Sequence, residues 1–490
     1  MKATERRKAM STTKPLPGRS LLTAAIATLF LAGCASFSQD GGFSPVEKIA
    51  QEKLRKEVRY AKSADDLHTI ADQVATLLKE PLTEDNAVQI ALLNNRGLQA
   101  KFQTLGISEA DMVRVGEWPN PKLTLFNAST TGSNGVREYK IEQVLTFNIF
   151  SVFTIPQAVA IERRRFEQTQ RAVAEEVLRL AADTRKAWVQ AVAANETLRY
   201  QRQVLTAAEG GAELAERMAR NGNWNKLQQA REQGFYAEAA LALTQGELGA
   251  TASRERLTRL LGLWGEQINY TLPERLPSLP SAPQDMPDVE KTAMAQRLDL
   301  QSIKQETEAL AKNLGLTKTT RFINVLELGP ARVQEGPRDT PYKTGYEISF
   351  ELPLFDWGGA RVARAEATYM QAVHRAAEAA VNARSEVREA YQGYRTRYDI
   401  ARHYRDEIVP IRKRISDENL LRYNGMLIGV FDLLADARAQ VASVNGYIAA
   451  LRDFWLAQAD LDMALLGKPT PTVGNVDAPA ASAQAAAGDH

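Results

Sequence analysis

The side chains of this 490-residue chain that could do chemistry are few and scattered. His68, His374, His403 and His490 each stand alone, with no second ligand at metal spacing. No nucleophile–base pair, phosphate-binding loop or metal-ligand cluster is present, so the chain does not read as an enzyme. Its 61 basic and 59 acidic residues leave a net charge of +2, which gives no footing for nucleic acid. The single cysteine, Cys34, excludes an intrachain disulfide and a Cys-based metal site. Its surroundings point elsewhere. Lys2, Arg6, Arg7, Lys8, Lys14 and Arg19 form a basic leader, Leu21 to Leu31 a short apolar core, and Leu31-Ala32-Gly33 leads into Cys34. That core is too short for a stable transmembrane helix and reads as a secretory signal. The other pair of interest is Asp432 and Asp436, one turn apart on one face of a predicted helix.

Leu31-Ala32-Gly33-Cys34 resembles a bacterial lipobox. The resemblance implies that Cys34 is acylated and becomes the first mature residue, so residues 1–33 are the signal peptide and the expected attachment is a covalent lipid rather than a cofactor. Ala35 follows where an Asp would imply retention at the inner membrane, so the expected address is the outer membrane of a Gram-negative cell. More than one acyl chain makes a durable anchor.

The elements that must carry these residues alternate between two periods. Tyr346, Ile348, Phe350, Leu352 and Leu354 are apolar, with Glu347, Ser349, Glu351 and Pro353 between them. This is a strand with one face in oil and one in water. Asp356-Trp357-Gly358-Gly359 follows, and then a long run rich in Ala, Arg and Glu that reads as helix, with Asp356 as its expected N-cap. The first half holds an earlier copy: Tyr139, Ile141, Leu145, Phe147 and Ile149 alternate with polar residues, and Thr154-Ile155-Pro156 opens a helix with proline near its start.

In chain order, residues 34–81 are a Ser/Gly-rich tether and a charged helix over Val46 to Lys79. A first repeat spans 82–270. It has a Thr83-capped helix to about Val115, a strand over Leu123 to Ser129, an Asn134-Gly135 hairpin turn, the Tyr139 strand, and a helix from Ile155 to Asn221 that turns at Gly222 and returns to Leu261-Gly262. Residues 271–288 are a proline-rich stiff linker. A second repeat spans 289–467: a helix carrying Arg297-Leu298-Asp299-Leu300, a strand over Phe322 to Leu328, the Tyr346 strand, a long helix with Pro410 as its expected kink, a turn at Asn424-Gly425, and a last helix to Leu466-Gly467. Landmarks recur at a near-constant offset, the mark of two copies of one unit. Residues 468–490 form a Pro/Ala/Gly-rich tail with the composition of disorder.

Four strands per chain cannot close a barrel, and an open edge in lipid strands backbone amides at several kcal/mol each. Several chains sharing one barrel solve this, and three chains supply twelve strands. Glu138, Lys140, Glu142, Glu347 and Glu351 would then face water, and Phe126, Phe150, Phe153, Phe355 and Trp357 are placed to form interfacial girdles.

The duplicated plan, with Leu98-Gln99 after Asn94-Asn95, Arg297-Leu298-Asp299-Leu300, the run Leu352 to Gly359, and Gly425 followed by Asp432-Leu433-Leu434 and Ala437-Arg438-Ala439-Gln440, resembles the TolC family of outer-membrane efflux channels over about Leu82 to Gly467. The resemblance implies an α+β membrane protein, a homotrimer with a 12-stranded β-barrel and a long periplasmic α-helical barrel. It implies a passive exit duct of a tripartite efflux system, with a periplasmic adaptor, an inner-membrane pump and outer-membrane lipid as partners and no nucleic acid. The outer-membrane duct of a type I protein secretion system and a non-pore periplasmic scaffold lipoprotein are the alternatives. It further implies an acidic ring at the periplasmic mouth, carried here by Asp432 with Asp436 a turn later, gate contacts at Tyr423 and Arg422, and adaptor docking at the tips around Trp224, Gly222 and Gly425. Leu298 stands where the family has Pro, and the first tip reaches Ala230-Arg231 about one turn sooner than the second reaches Ala437-Arg438, so the two tips should differ.

Overall fold

The computed structural model describes residues 36–133, 135–320, 326–352 and 354–469. Cys34 and its leader, Asn134, residues 321–325 (where the expected strand over Phe322 to Leu328 begins), Pro353 and residues from 470 onward lie outside them. The elements are α1 (Ser44–Leu54), α2 (Ala64–Leu77), α3 (Glu84–Asn94), α4 (Arg96–Gly116), β1 (Lys122–Thr131), β2 (Arg137–Asn148), α5 (Phe150–Arg220), α6 (Lys226–Leu261), a 3-10 turn (Gly265–Asn269), α7 (Val289–Gln296), α8 (Leu298–Thr319), β3 (Leu326–Gly336), β4 (Lys343–Phe350), α9 (Gly359–His403), a π segment (Tyr404–Ile408), α10 (Val409–Asn424) and α11 (Val430–Leu466). The same order (two helices, two strands, a long helical hairpin) thus occurs twice. Among the described residues no helix is long and apolar enough to cross a membrane.

The chain divides into two compact units. The first comprises residues 36–44, Gln103–Gln170 and Ser302–Ala376 and holds the sheet. All four strands pair antiparallel in the order β1-β2-β3-β4, so β1 and β4 are edges. The registers Leu123↔Leu145, Phe147↔Leu328 and Leu328↔Ile348 line apolar side chains up across the sheet on one face. Leu123, Leu125, Phe147, Leu328, Tyr346, Ile348 and Phe350 on that face are exposed. Glu138, Lys140, Glu142 and Glu347 share the other face, where Lys140 Nζ lies 2.9 Å from Glu142 Oε1. Phe126 departs from the expected girdle: it pairs with Glu142, so it sits on the charged face with the Lys140 ammonium 5.9 Å from its ring centre. An aromatic there offers its π face to a cation rather than to lipid.

Three local expectations shift. α5 begins at Phe150, where Asn148 Oδ1 accepts from Ser151 N and Ser151 Oγ donates to Asn148 O, so Pro156 lies in the second turn rather than the first. Asp356 does not cap α9. Its Oδ1 accepts from Gly358 N, a turn two residues long, and the left-handed Gly358 (φ 71°) then offers its carbonyl to Val362 N. The predicted helix over Val46 to Lys79 is two helices, broken after Leu54 where Arg55 is left-handed (φ 54°) and restarted by Ser63, which with Asp66 forms a capping box.

The second unit comprises Pro45–Phe102, Arg171–Gln301 and residues 377–469. Its core gathers Leu82, Ile90, Trp188, Leu257, Leu261, Phe454 and Leu461. Trp188 Nε1 donates to Leu82 O at 2.7 Å, which satisfies the one polar atom that burying an indole brings with it. The proline-rich stretch over 271–288 is extended, and extended backbone has no internal hydrogen bonds. Side chains supply them. Tyr398 Oη donates to Ser281 O (2.8 Å) and Pro280 O (3.2 Å), Trp455 Nε1 donates to Pro277 O (3.1 Å), and the hydroxyls of Tyr394 and Tyr391 accept from Gln284 N and Met286 N. The linker is a strap pinned along α9 and α11. Pro410 is accommodated by the π segment before it: Val409 N reaches back five residues to Tyr404 O.

Candidate functional site: the hairpin tips and the junctions above them

Each helical hairpin of the second unit is held at one end by a junction and turns at the other. In the first repeat, the predicted single helix after Thr83 breaks at Asn95, which is extended (ψ 115°). Asn94 Nδ2 donates to Leu261 O (3.0 Å) and Gly262 O (2.8 Å), and Asn95 Nδ2 to Leu260 O (2.9 Å), while Asn95 Oδ1 accepts from Leu98 N and starts α4. The last carbonyls of α6, which have no partner within the helix, are thereby satisfied. Gly262 closes α6 in the left-handed region (φ 67°), and a Cβ there would stand 2.8 Å from Asn94 O. Both its conformation and its neighbour require glycine.

The second repeat makes the same join with charge. Arg297 is the break between α7 and α8 (ψ 124°) and is 1% exposed. Its Nε and Nη2 bind Asp299 at 3.0 and 2.8 Å, Nη1 binds Glu386 of α9 at 2.7 Å, and Nη1 reaches Ala464 O near the end of α11 at 3.5 Å. The fork of a guanidinium serves two carboxylates and a helix end at once. Nearby, burial pushes the Glu175 carboxyl up, and the Asp299 carboxylate adds to the effect.

At the first tip, Gly222 is left-handed (φ 74°), and Asn225 starts α6 with a capping box to Gln228. At the second, Gly425 is right-handed (φ −81°), the left-handed position falls on Met426 (φ 60°), and α11 starts at Gly429 with no side-chain cap. The two tips differ, as the unequal spacing predicts. Met426 is 94% exposed, and Leu420, Leu421 and Leu427 around it are exposed too.

The tips also touch each other. Trp224 packs edge to face on Phe431, with ring centres 6.4 Å apart, and the Arg231 guanidinium lies 5.6 Å from the Phe431 ring centre. Further up, Arg438 of α11 donates to Glu232 of α6, and its guanidinium lies 5.0 Å from the Phe235 ring centre. Asp432 stands exposed in the first turn of α11, where a carboxylate suits the helix dipole. Asp436 accepts a hydrogen bond from Asn419 Nδ2 of α10. Arg422 pairs with Glu418 one turn back at 3.6 Å, and Tyr423 is exposed. Among the described residues no group of three His, Cys, Asp or Glu is placed to hold a metal ion.

Residues 87–263, most of the first repeat, match the model of the family described as outer membrane efflux protein. Over that stretch the chain is similar to that family. Its fold is that of solved outer-membrane channels of this kind. CusC, whose structures address folding and transmembrane channel formation, aligns with TM-score 0.66 at 17% identity over 81% of this chain and 92% of its own. The Campylobacter jejuni CmeC outer membrane channel aligns with TM-score 0.65 at 15% identity over 86% and 91%. The Neisseria gonorrhoeae MtrE outer membrane channel, solved in its open state, aligns with TM-score 0.63 at 16% identity over 79% and 90%. No curated protein sequence matches the chain.

Of the tip residues, Trp224 is engaged with the second hairpin, Asp436 is tied inside its own hairpin, and Asp432 is free to face solvent. Glu232, Phe431 and Arg438 had no sequence signal of their own. Glu232 is one charge among many on a Gln/Glu/Arg-rich helix, and its burial comes from a helix 206 residues away in sequence. The Ala437-Arg438-Ala439-Gln440 resemblance drew attention to the stretch but not to the pairing.

Proposed function

We propose that this chain is the outer-membrane exit duct of a tripartite efflux system, assembled as a homotrimer whose three four-stranded sheets close one 12-stranded barrel. The observation that carries the reading is the sheet: one face is apolar and exposed, and both edge strands lack partners among the described residues. The apolar face is unstable in water and the open edges are unstable in lipid, and both demands are met in a membrane if β4 of one copy pairs with β1 of the next. The charged face of Glu138, Lys140, Glu142 and Glu347 then lines the water-filled interior. The helical hairpins stand in the periplasm, and the exposed apolar tip at Leu421, Met426 and Leu427 meets the adaptor that connects the duct to an inner-membrane pump. Asp432 of three copies forms the acidic constriction at the mouth. Acyl chains on Cys34 fix the assembly to the outer membrane, with residues 34–81 between the anchor and the first repeat (82–270), the strap (271–288) and the second repeat (289–467). Residues 468–490 are a trailing tail.

Heat-resistant trimers in detergent together with unitary conductance in planar bilayers support this reading. A monomer without conductance refutes it. Intact mass of the membrane-extracted protein tests the lipid: wild type should carry the added acyl mass, and Cys34→Ser should not.

A further inference from the structure

We propose that the cleft between the α3–α4 break and the 3-10 turn is a binding subsite for one pyranose ring of an acetamido-sugar glycan. The cleft holds about 360 Å³, near the lower end of ligand sites and room for about one ring. Its wall is Trp264, 80% exposed and the barest indole among the described residues. Its floor is Leu67, Ile70 and Leu93, and its rim carries Arg96, Glu266 and Gln267. The turn that presents Trp264 is braced: Gly265 is left-handed (φ 61°), Gln267 N donates to Trp264 O, and Arg254 Nη2 donates to Ile268 O at 2.9 Å.

The polar side chains sort into spent and available. Asn94 is committed to the end of α6, and Gln99 Nε2 to Arg59 O. Arg96 and Glu266 form no ion pair among the described residues, so they can address a ligand. A rim with both signs of charge selects against a simple organic cation, which Arg96 repels, and against a simple anion, which Glu266 repels. It suits a neutral polyol. The axial C–H face of a pyranose stacks on an indole, its equatorial hydroxyls hydrogen-bond to planar guanidinium, carboxylate and amide groups, and an acetamido methyl has the apolar floor to rest on. A docked protein would have to cover roughly 1,000 Å², whereas the exposed apolar side chains beside Trp264 are Leu67 and Ile268. The inference rests on the periplasmic placement of the second unit proposed above, where cell-wall amino-sugar polymer is at hand.

The test uses the full-length protein in detergent, with N-acetylglucosamine trimer as probe and the glucose trimer cellotriose as control, read by saturation-transfer NMR. The expected result is saturable transfer from the acetamido trimer with a dissociation constant on the order of 1 mM, weaker transfer to cellotriose, and at least a tenfold loss of affinity in Trp264→Ala and in Arg96→Gln. No transfer to the wild type, unchanged binding in Trp264→Ala, or protection of Trp264 from indole oxidation in the free trimer, meaning that a second copy covers it, overturns the proposal. Trimer stability and bilayer conductance of Trp264→Ala are measured in parallel and should match wild type. A failed duct would show there, in the wild type as well, without bearing on the sugar result.

Discussion

Arg438 on α11 donates a hydrogen bond to Glu232 on α6, and Glu232 is 2% exposed. The two belong to different hairpins of the same chain, so this pair joins the repeats far from the strap that links them covalently. Arg438 Nε is buried without a hydrogen-bond partner among the described residues, so Glu232 and the Phe235 ring are what compensate the guanidinium. Removing one member of such a pair leaves an uncompensated buried charge, typically at about 3–5 kcal/mol, whereas removing both together costs far less. Arg438→Met should therefore lower the melting temperature more than Arg438→Met combined with Glu232→Met. Thermal melts of wild type, both single variants and the double variant give the coupling directly. Additive losses would mean that the pair is not coupled.

The Arg297 junction makes a sharper demand. Lys at position 297 keeps the charge but cannot bridge Asp299, Glu386 and Ala464 O together. Arg297→Lys is expected to destabilise by about 2–4 kcal/mol, with early proteolytic cleavage between α7 and α8. Limited proteolysis with mass mapping checks this.

The strap depends on tyrosine hydroxyls rather than on its own backbone. Tyr398→Phe leaves the Ser281 and Pro280 carbonyls without their donor, a loss of about 1–3 kcal/mol if water cannot replace it. Amide exchange should rise over 271–288 and not at the tips.

Asp432 and Asp436 are one turn apart but do different things. Asp436 is held by Asn419, and Asp432 is exposed. Asp432→Asn is expected to lower the cation-over-anion permeability ratio by roughly twofold, while Asp436→Asn leaves it unchanged and lowers thermal stability. Reversal potentials in asymmetric salt distinguish the two.

Burial raises the Glu175 carboxyl, with Asp299 the second contributor. A folded-state value above the unfolded one means that the folded chain binds the proton more tightly, so this site's contribution is most favourable below the unfolded value and is lost as pH rises through the folded one. Glu175→Gln should thus raise the melting temperature at pH 7.5, on the order of 1 °C, and give no gain at pH 4. An equal gain at both pH values would refute the assignment.

Much of the fold was legible because its periods are strong. The alternation from Tyr346 to Phe350 and from Tyr139 to Phe147 survives as β4 and β2 on one sheet, and the duplication follows from landmarks such as Gly262 and Gly467 that end the returning helices. Breaks that depend on distant partners were not legible. Asn95 looks like an interior helix residue until Leu260 offers it a carbonyl, and Arg55 gives no local reason to leave the helical region. The side of the sheet that Phe126 takes is fixed by its pairing with Glu142 across the hairpin, not by its own hydrophobicity. At the tips, Trp224 and Asp432 were visible by type and position, but that Phe431 of the other hairpin engages Trp224 was not.

The π segment at Tyr404–Ile408 has an effect beyond accommodating Pro410. One extra residue in a turn advances the angular position of everything after it by about 100°. Side chains on α10 therefore point in directions that a continuous helix from α9 would assign to their neighbours, whereas α5 runs 71 residues without such an offset. The descending arms of the two repeats are thus out of phase. Exchanging the lower half of one arm for the other, as a chimera would, rotates the side chains of the tip even though every turn of helix is preserved.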